Sequence, residues 1–322
     1  MEGKKQHARL KSAVSSILQA VVILIGVTFI SFFLLHLSPK NPAEIWLIGT
    51  DGNAGQLSQE TIEAQEEAMG LDKPLLVQYL NWLAGVLQGD LGVSFTTGEP
   101  VTQVILERLK PTIALAFLSL VLTLMISVPL GTYCACFQNR FLDHVTRVIS
   151  VIGISLPSFL VSLILMWFFC LKLDLLPVIA KNSIQGIILP AMVLTIQTSA
   201  KLIRQIRGAV LTELKKDYVL GSLARGCSRR RILFCHVFRN ILPQLLTWTG
   251  IYLGVLLGGA AIVETVFSWN GIGKLIVDAV TNMDYYVIQG SVLVIALLFL
   301  GINLLVDLLS KWADPRIGRQ GQ

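Results

Sequence analysis

The sequence predicts an all-α, polytopic membrane protein with six transmembrane helices and a small helical outer loop region. Composition is the first ground. Of 322 residues, 54% are hydrophobic and only 14% charged, against about 25% charged in a soluble domain. Periodicity is the second. The apolar residues gather in six runs, at 13–37, 112–136, 148–171, 186–203, 244–265 and 288–309, each close to the ~20 residues a helix needs to span a bilayer. The short alternating segments of a barrel are absent. Lipid offers a backbone no hydrogen-bond partner, which leaves helices as the spanning unit.

The first run follows a basic arm at 1–12 carrying Lys4, Lys5, Arg9 and Lys11. It is longer than the ~7–15 residues of a signal h-region and lacks a small-residue cleavage site, so it reads as a retained anchor. Next comes a polar region, 38–110, with ten carboxylates against four Lys/Arg. Ser58 and Gly70 bracket a helix as N-cap and stop. Pro74 opens an amphipathic stretch at 75–87 that Gly89 closes, and Pro100 opens a third at 101–109. A connection this long is a functional region by expectation.

From 111 to 312 the remaining five spans form a core, and a short tail, 313–322, follows. Within the core, residues 204–240 carry nine Lys/Arg against Glu213 and Asp217. By the positive-inside rule this segment, the arm and the tail face the cytoplasm, and 38–110 faces outward. The net charge of +6 then follows from topology, and nucleic acid is not an expected partner. Membrane lipid is.

Five cysteines (Cys134, Cys136, Cys170, Cys227 and Cys235) form no outer pair, so they read as small buried hydrophobes rather than a disulfide framework. Ionisable residues in the spans mark function by default, but Lys201, Glu264, Asp307 and His36 all fall near span ends, and Asp307 with Lys311 has helix ion-pair spacing. No carboxylate or histidine chain relays protons. The nearest approach to a phosphate-binding loop, Gly271-Ile272-Gly273-Lys274, continues with Leu275 and has Ser268 in place of the first glycine, so it reads as a turn. No metal site, catalytic group or cofactor is expected on this chain. The spans lack a visible engine, and a helix pair at 217–226 and 229–239, stopped at Gly226 and capped by Ser228, is the surface where a partner would supply one.

The same residues carry a resemblance. Tyr218, Val219, Ala224, Arg225, Gly226, Ser228, Ile232, His236, Arg239, Asn240 and Pro243 resemble the cytoplasmic signature of inner-membrane permeases of ATP-binding cassette importers, in the dipeptide/oligopeptide/nickel branch. Glu264-Thr265-Val266-Phe267-Ser268-Trp269-Asn270-Gly271-Ile272-Gly273 is similar to a second motif of that branch, with Asn270 replacing its proline and tolerating a turn. Asp284-Tyr285, Gly290, residues 303–309, Asp314-Pro315-Arg316-Ile317, and Gly70-Leu71-Asp72-Lys73-Pro74 with Gly89-Asp90-Leu91-Gly92 fit as well. The resemblance implies a type I importer permease-like fold in the bacterial cytoplasmic (inner) membrane, with both termini cytoplasmic. It implies a homologous second permease, two ATPase subunits that use the ATP, and an extracytoplasmic substrate-binding protein. It assigns 215–243 as the coupling-helix region, through Tyr218, Ala224, Arg225, Gly226, Ser228, Arg239 and Pro243. The cargo it implies is nickel, a metal chelate or a short peptide.

Candidate path residues are the glycine strip Gly250, Gly254 and Gly258, Ser155 and Ser158 beside Pro157, and Gln197 with Thr198 and Ser199. Close helix packing accounts for the same strip. An ion-coupled secondary carrier and a membrane scaffold without a translocation role are the alternative readings.

Overall fold

The computed structural model describes residues 2–37, 43–44, 46–47, 58–180 and 183–313. Most of 38–57, the tail from 314 with its Asp-Pro-Arg-Ile motif, and the Lys311 and arm side chains lie outside the described residues. Two compact units emerge, Met1–Lys110 with Leu275–Leu300 and Pro111–Lys274 with Gly301–Gln322.

In the first unit, α1 (Glu2–His36) carries the first span. Ser58 caps α2 (Gln59–Met69) by accepting the Thr61 N–H, and Gly70 ends it at φ 68°. Pro74 opens α3 (Leu75–Leu87). Its buried face docks on α1: the Tyr79 hydroxyl lies 2.9 Å from Thr28 Oγ1, and the Tyr79 ring meets Phe29 and Phe32 edge-on at 5.4 and 5.5 Å. The turn at 89–100 then packs on the start of the last helix, α13 (Tyr285–Ala313). Asp284 accepts hydrogen bonds from the Ser94 and Thr96 hydroxyls at 2.6 and 3.0 Å. Gly92 has φ 90°, and a Cβ there would lie 2.9 Å from the Tyr286 ring. The Gly-Asp-Leu-Gly and Asp-Tyr motifs are therefore two halves of one contact.

The expected third outer helix is not separate. Residues 101–109 are the first turns of α4 (Val101–Cys136), which continues through Pro111 and Pro129. Proline's φ suits a helix. Its missing N–H is tolerated in a long span where other groups take up the freed backbone.

In the second unit, α4 presents Ser119, Thr123, Ser127 and Gly131 at four-residue spacing, all buried. This stripe meets α7 (Ile188–Leu214): a Cβ on Gly131 would lie 3.0 Å from the Ile203 carbonyl, and the Thr195 hydroxyl donates to the Ser119 carbonyl at 3.4 Å. The third span is broken. α5 (Phe141–Ser155) and α6 (Ser158–Met166, continued by a π-turn to Lys172) meet at 104° across Leu156-Pro157. The break leaves the Leu156 carbonyl outside both helices, and Gln197 on α7 donates its side-chain amide to it at 3.0 Å.

Beyond α7 come α8 (Asp217–Ala224), α9 (Arg229–Ile232), a π-turn (Leu233–Val237) and α10 (Phe238–Gly259). The helix expected to stop at Arg239 instead runs on through a buried Pro243 into the apolar helix expected as the fifth span. That span itself ends at Gly259, and α11 (Ala261–Val266) is a separate turn. Among the described residues, four helices are long and apolar enough to cross a membrane, or five counting the bent pair as one. α7 is long enough but too polar to be counted among them.

The glycine-rich segment after α11 is a self-capped helix start. The buried Glu264 carboxylate sits at the N-terminus of α12 (Ile272–Thr281), accepting the Lys274 N–H at 3.0 Å and the Thr112 hydroxyl at 2.7 Å. A Cβ on Gly271 would collide with that carboxylate, and one on Gly273 would come 2.6 Å from Ala261 Cα. The anion position that a phosphate would take in a nucleotide-binding loop is thus occupied by the chain's own glutamate. The left-handed residue of this turn is Ser268, φ 53°, and not Asn270. All five cysteines are free; Cys134 and Cys170 are buried as expected, but Cys136 and Cys235 are exposed and Cys227 is half-buried.

Candidate functional site

The elbow between α7 and α10 is an ordered polar element of the second unit. α8 begins at Asp217, an acid in the first turn that suits a helix N-terminus. It ends because Gly226 takes φ 80°, with its N–H on the Leu223 carbonyl at 2.9 Å and the Cys227 N–H on the Ser222 carbonyl at 3.0 Å. Nothing lies within 4 Å of a Cβ at Gly226, so this glycine is required by backbone conformation and not by crowding. Ser228 then caps α9, accepting the Arg231 N–H.

What fixes the elbow is Glu213, in the last turn of α7 and only 6% exposed. Its Oε1 accepts from the Tyr218 hydroxyl at 3.0 Å and from the Asn240 amide at 2.8 Å. Its Oε2 pairs with Lys216 Nζ at 2.6 Å. One carboxylate therefore ties α7, α8 and α10 together. Lys216 is half exposed, so solvent screens that pair, and the Tyr218 and Asn240 bonds carry most of the clamp. Burial raises the Glu213 pKa, but the bonds from Lys216, Asn240 and Tyr218 outweigh it and hold the carboxyl below its ordinary range. Burial, together with the bond to Glu213, pushes the Tyr218 phenol up to about 12. The donor–acceptor pairing is therefore fixed at neutral pH.

Higher on α7, Arg207 makes a bidentate ion pair with Asp143 of α5, Nε–Oδ1 2.7 Å and Nη2–Oδ2 2.9 Å. Asp143 is fully buried and also accepts the Asn139 N–H at 3.0 Å. The planar guanidinium matches a carboxylate's two oxygens, which gives directional rigidity as well as charge. The elbow thus stands on a braced helix.

The expected elbow residues fall as follows. Tyr218 is half-buried in the clamp, and Pro243 is buried in α10. Ala224, Arg225, Gly226, Ser228 and Arg239 are exposed, with Arg225 donating to Ser222 Oγ at 3.3 Å. Large apolar side chains join them on the outside: Leu220 (62% exposed), Leu223 and Phe234 (67%). The sequence pattern assigns no site role to these residues, to Glu213 or to Asp143. Its place as one of two acids amid nine basic residues is the signal the sequence offers for Glu213.

Among the candidate path residues, Gln197 is engaged with the Leu156 carbonyl, Ser155 is exposed, and the Ser158 carbonyl accepts from Ser162. The glycine strip is not uniform. Gly250 packs directly on Val306, Gly254 is buried, and Gly258 is exposed with open space beside it.

Comparison with known proteins agrees along the chain. The family described as "Binding-protein-dependent transport system inner membrane component" matches residues 127–319, and its N-terminal counterpart matches residues 10–116. A probable peptide ABC transporter permease protein of Sinorhizobium fredii is 38% identical, covering 96% of this chain and 98% of the relative. A dipeptide transport system permease protein of Alkalihalophilus pseudofirmus is 34% identical (96% and 99%). A glutathione transport system permease protein of Salmonella typhi is also 34% identical (96% and 99%). In fold, the chain is similar to an inward-facing MetNI methionine ABC transporter chain, with a TM-score of 0.54 at 18% identity over 66% of this chain and 96% of that one.

Proposed function

The chain belongs to the family of binding-protein-dependent transport system inner membrane components, and from that premise we propose that it forms half of the path of an ATP-driven importer of short peptides. It is a multi-pass inner-membrane permease subunit and not an enzyme. In this reading a second, homologous permease completes the path, two ATPase subunits hydrolyse the ATP, and an extracytoplasmic binding protein delivers cargo. The chain crosses six times, with the polar α7 as the fourth span and both termini in the cytoplasm. Residues 1–12 are the arm, 13–37 the first span, 38–110 the outer region that meets the binding protein, 111–312 the permease core, and 313–322 the tail.

The observation that carries this reading is the elbow. It exposes Leu220, Leu223, Phe234 and five arginines on a base locked through Glu213. Apolar side chains on a rigid, basic, helical projection suit a cleft in a partner. Force applied there is transmitted to three helices at once, because one carboxylate joins them. Short peptides are favoured over nickel or a metal chelate because relatives similar along their whole length are described as peptide, dipeptide and glutathione permeases.

Reconstitution tests this. Proteoliposomes holding this chain, the second permease, the ATPases and the binding protein should accumulate a dipeptide only with ATP inside the ATPase compartment. Uptake by this chain alone, driven by a proton or sodium gradient, would establish the secondary-carrier reading instead. Normal uptake by the remaining subunits without this chain would reduce it to a scaffold.

A further inference from the structure

α7 carries two cations that neither the Glu213 clamp nor the Asp143 brace uses. Gln197, Lys201, Arg204 and Gly208 recur at three- and four-residue spacing, which puts them on one face of the helix. Lys201 and Arg204 are exposed, and a Cβ on Gly208 would have no atom within 4 Å. The opposite face, with Thr195, Leu202, Ile206 and Val210, is buried. α5 covers one flank, where a Cβ on Gly153 would lie 3.1 Å from Ala200 Cβ. α10 covers the other, where the Tyr252 hydroxyl donates to Gln205 Oε1 at 2.9 Å. An open, positively charged strip therefore runs between α5 and α10. Arg207 is matched by Asp143, whereas Lys201 and Arg204 make no ion pair or side-chain hydrogen bond among the described residues.

With α7 as the fourth span, depth decides what this strip faces. Lys201 stands near the end of the apolar run at 186–203, yet α7 continues past it to Leu214. It is the middle residue of the 27 in the helix, with roughly 20 Å of helix on either side. It lies about 9 Å outward of Arg207 and the start of α5. A lysine or arginine turned to lipid at the centre of a span costs about 2.5–3.5 kcal/mol, and here two cations share one face. A second feature at the same level independently favours water. One turn further out, Gln197 holds the Leu156 carbonyl at the break between α5 and α6, and Ser155 and Pro157 on either side of Leu156 are exposed. Non-helical backbone within a bilayer is tolerated where it is buried in protein or lines a water-filled cavity. Secondary transporters build their cargo sites at such discontinuous helices near the midplane.

We propose that the strip lines a water-filled part of the path, and that Lys201, with Arg204 one turn inward, holds the carboxylate of a peptide in transit. This inference deepens the importer reading and rests on it. A carboxylate supplies the counter-charge that both side chains lack. A bare metal cation would be repelled by the same pair, so the strip also separates the two classes of cargo. Gln197 is already engaged with backbone, which leaves recognition here to charge.

The test uses the assembled transporter with Lys201→Cys, in a background with Cys136, Cys227 and Cys235 changed to Ser; the same background retaining Lys201 is the reference. In nanodiscs, a charged, membrane-impermeant methanethiosulfonate should label the new thiol, which a lipid-facing position would not allow. In proteoliposomes, Lys201→Cys should lower ATP-driven dialanine uptake at least about tenfold. The aminoethyl reagent, which returns an ammonium to the position, should restore most of that uptake. The sulfonatoethyl reagent, which adds an anion of similar size, should not. Recovery that follows charge is a readout that a packing role would not give. An unlabelled thiol, full uptake by unmodified Lys201→Cys, or recovery independent of the reagent's charge overturns the inference, while uptake by the reference leaves the importer reading standing. No ATP-driven uptake by the reference removes the importer reading and this inference with it. Should Lys201→Cys fail to assemble, Arg204→Cys carries the same labelling and rescue.

Discussion

Glu213→Ala should reduce ATP-driven uptake by about a hundredfold or more while the chain still inserts in the membrane. The carboxylate accepts from Tyr218 and Asn240 and pairs with Lys216. Hydrogen bonds to a charged group contribute about 1.5–3 kcal/mol each, so losing two costs roughly 3–6 kcal/mol, enough to shift a docked elbow to a minor population. The Tyr218 hydroxyl and Asn240 amide would be left without their acceptor. Glu213→Gln keeps an acceptor oxygen and should lose less. Hydrogen exchange over 217–226 reports the same change directly, with protection falling in the alanine variant.

The pH dependence has a definite sign. Glu213's folded pKa is depressed, so its contribution is present above the ordinary carboxylate pKa and is lost as pH falls through the folded value. Tyr218's is raised to about 12. Its contribution is therefore complete below the ordinary phenol pKa of about 10 and is lost as pH rises toward 12. Exchange protection of the elbow should be flat across neutral pH and fall at both extremes. Loss of protection between pH 6 and 8 would show that other groups hold it.

Gly226→Asp should lower uptake at least about tenfold with normal insertion. The residue sits at φ 80°, and an added Cβ has no atom within 4 Å, so the substitution is not opposed by crowding at Cβ. A left-handed conformation costs most residues about 1–2 kcal/mol, and Asn and Asp tolerate it best. Gly226→Asn therefore adopts the same shape as Asp without its charge. The difference between the two variants isolates the effect of a carboxylate set among Arg225, Arg229, Arg230 and Arg231. We expect Asn to retain most of the uptake. Equal losses in both would assign the effect to backbone strain, and normal uptake with Asp would count heavily against a partner seated on this surface.

Local signals in the sequence were read well where they act over a few residues. Ser58 with Gly70, Pro74, and Gly226 with Ser228 each fix a helix end by capping or by backbone conformation, and each marks such an end in the structure. Proline was a weaker guide. Pro157 breaks its span, whereas Pro111 and Pro243 lie inside continuous helices, because surrounding helices compensate for one missing N–H. The expected fourth span, at α7, is legible only in part. Lys201, Arg204 and Arg207 make α7 polar, yet Arg207 is matched by Asp143, 64 residues away. Glu264 met Thr112 across 152 residues, a pairing that periodicity does not reveal. The elbow's residue types were visible in the sequence, but its keystone was not: Glu213 looked like one acid in a basic loop until α10 brought Asn240 onto it.

In the proposed importer, force from the cell interior enters through this elbow. Leu220→Cys, in a background with Cys136, Cys227 and Cys235 changed to Ser, measures that directly by cross-linking in the assembled complex. The account predicts an adduct with the ATPase subunit whose yield changes between ATP-bound and nucleotide-free states. No ATPase adduct, or labelling of that cysteine by an impermeant reagent applied from outside the cell, would contradict it.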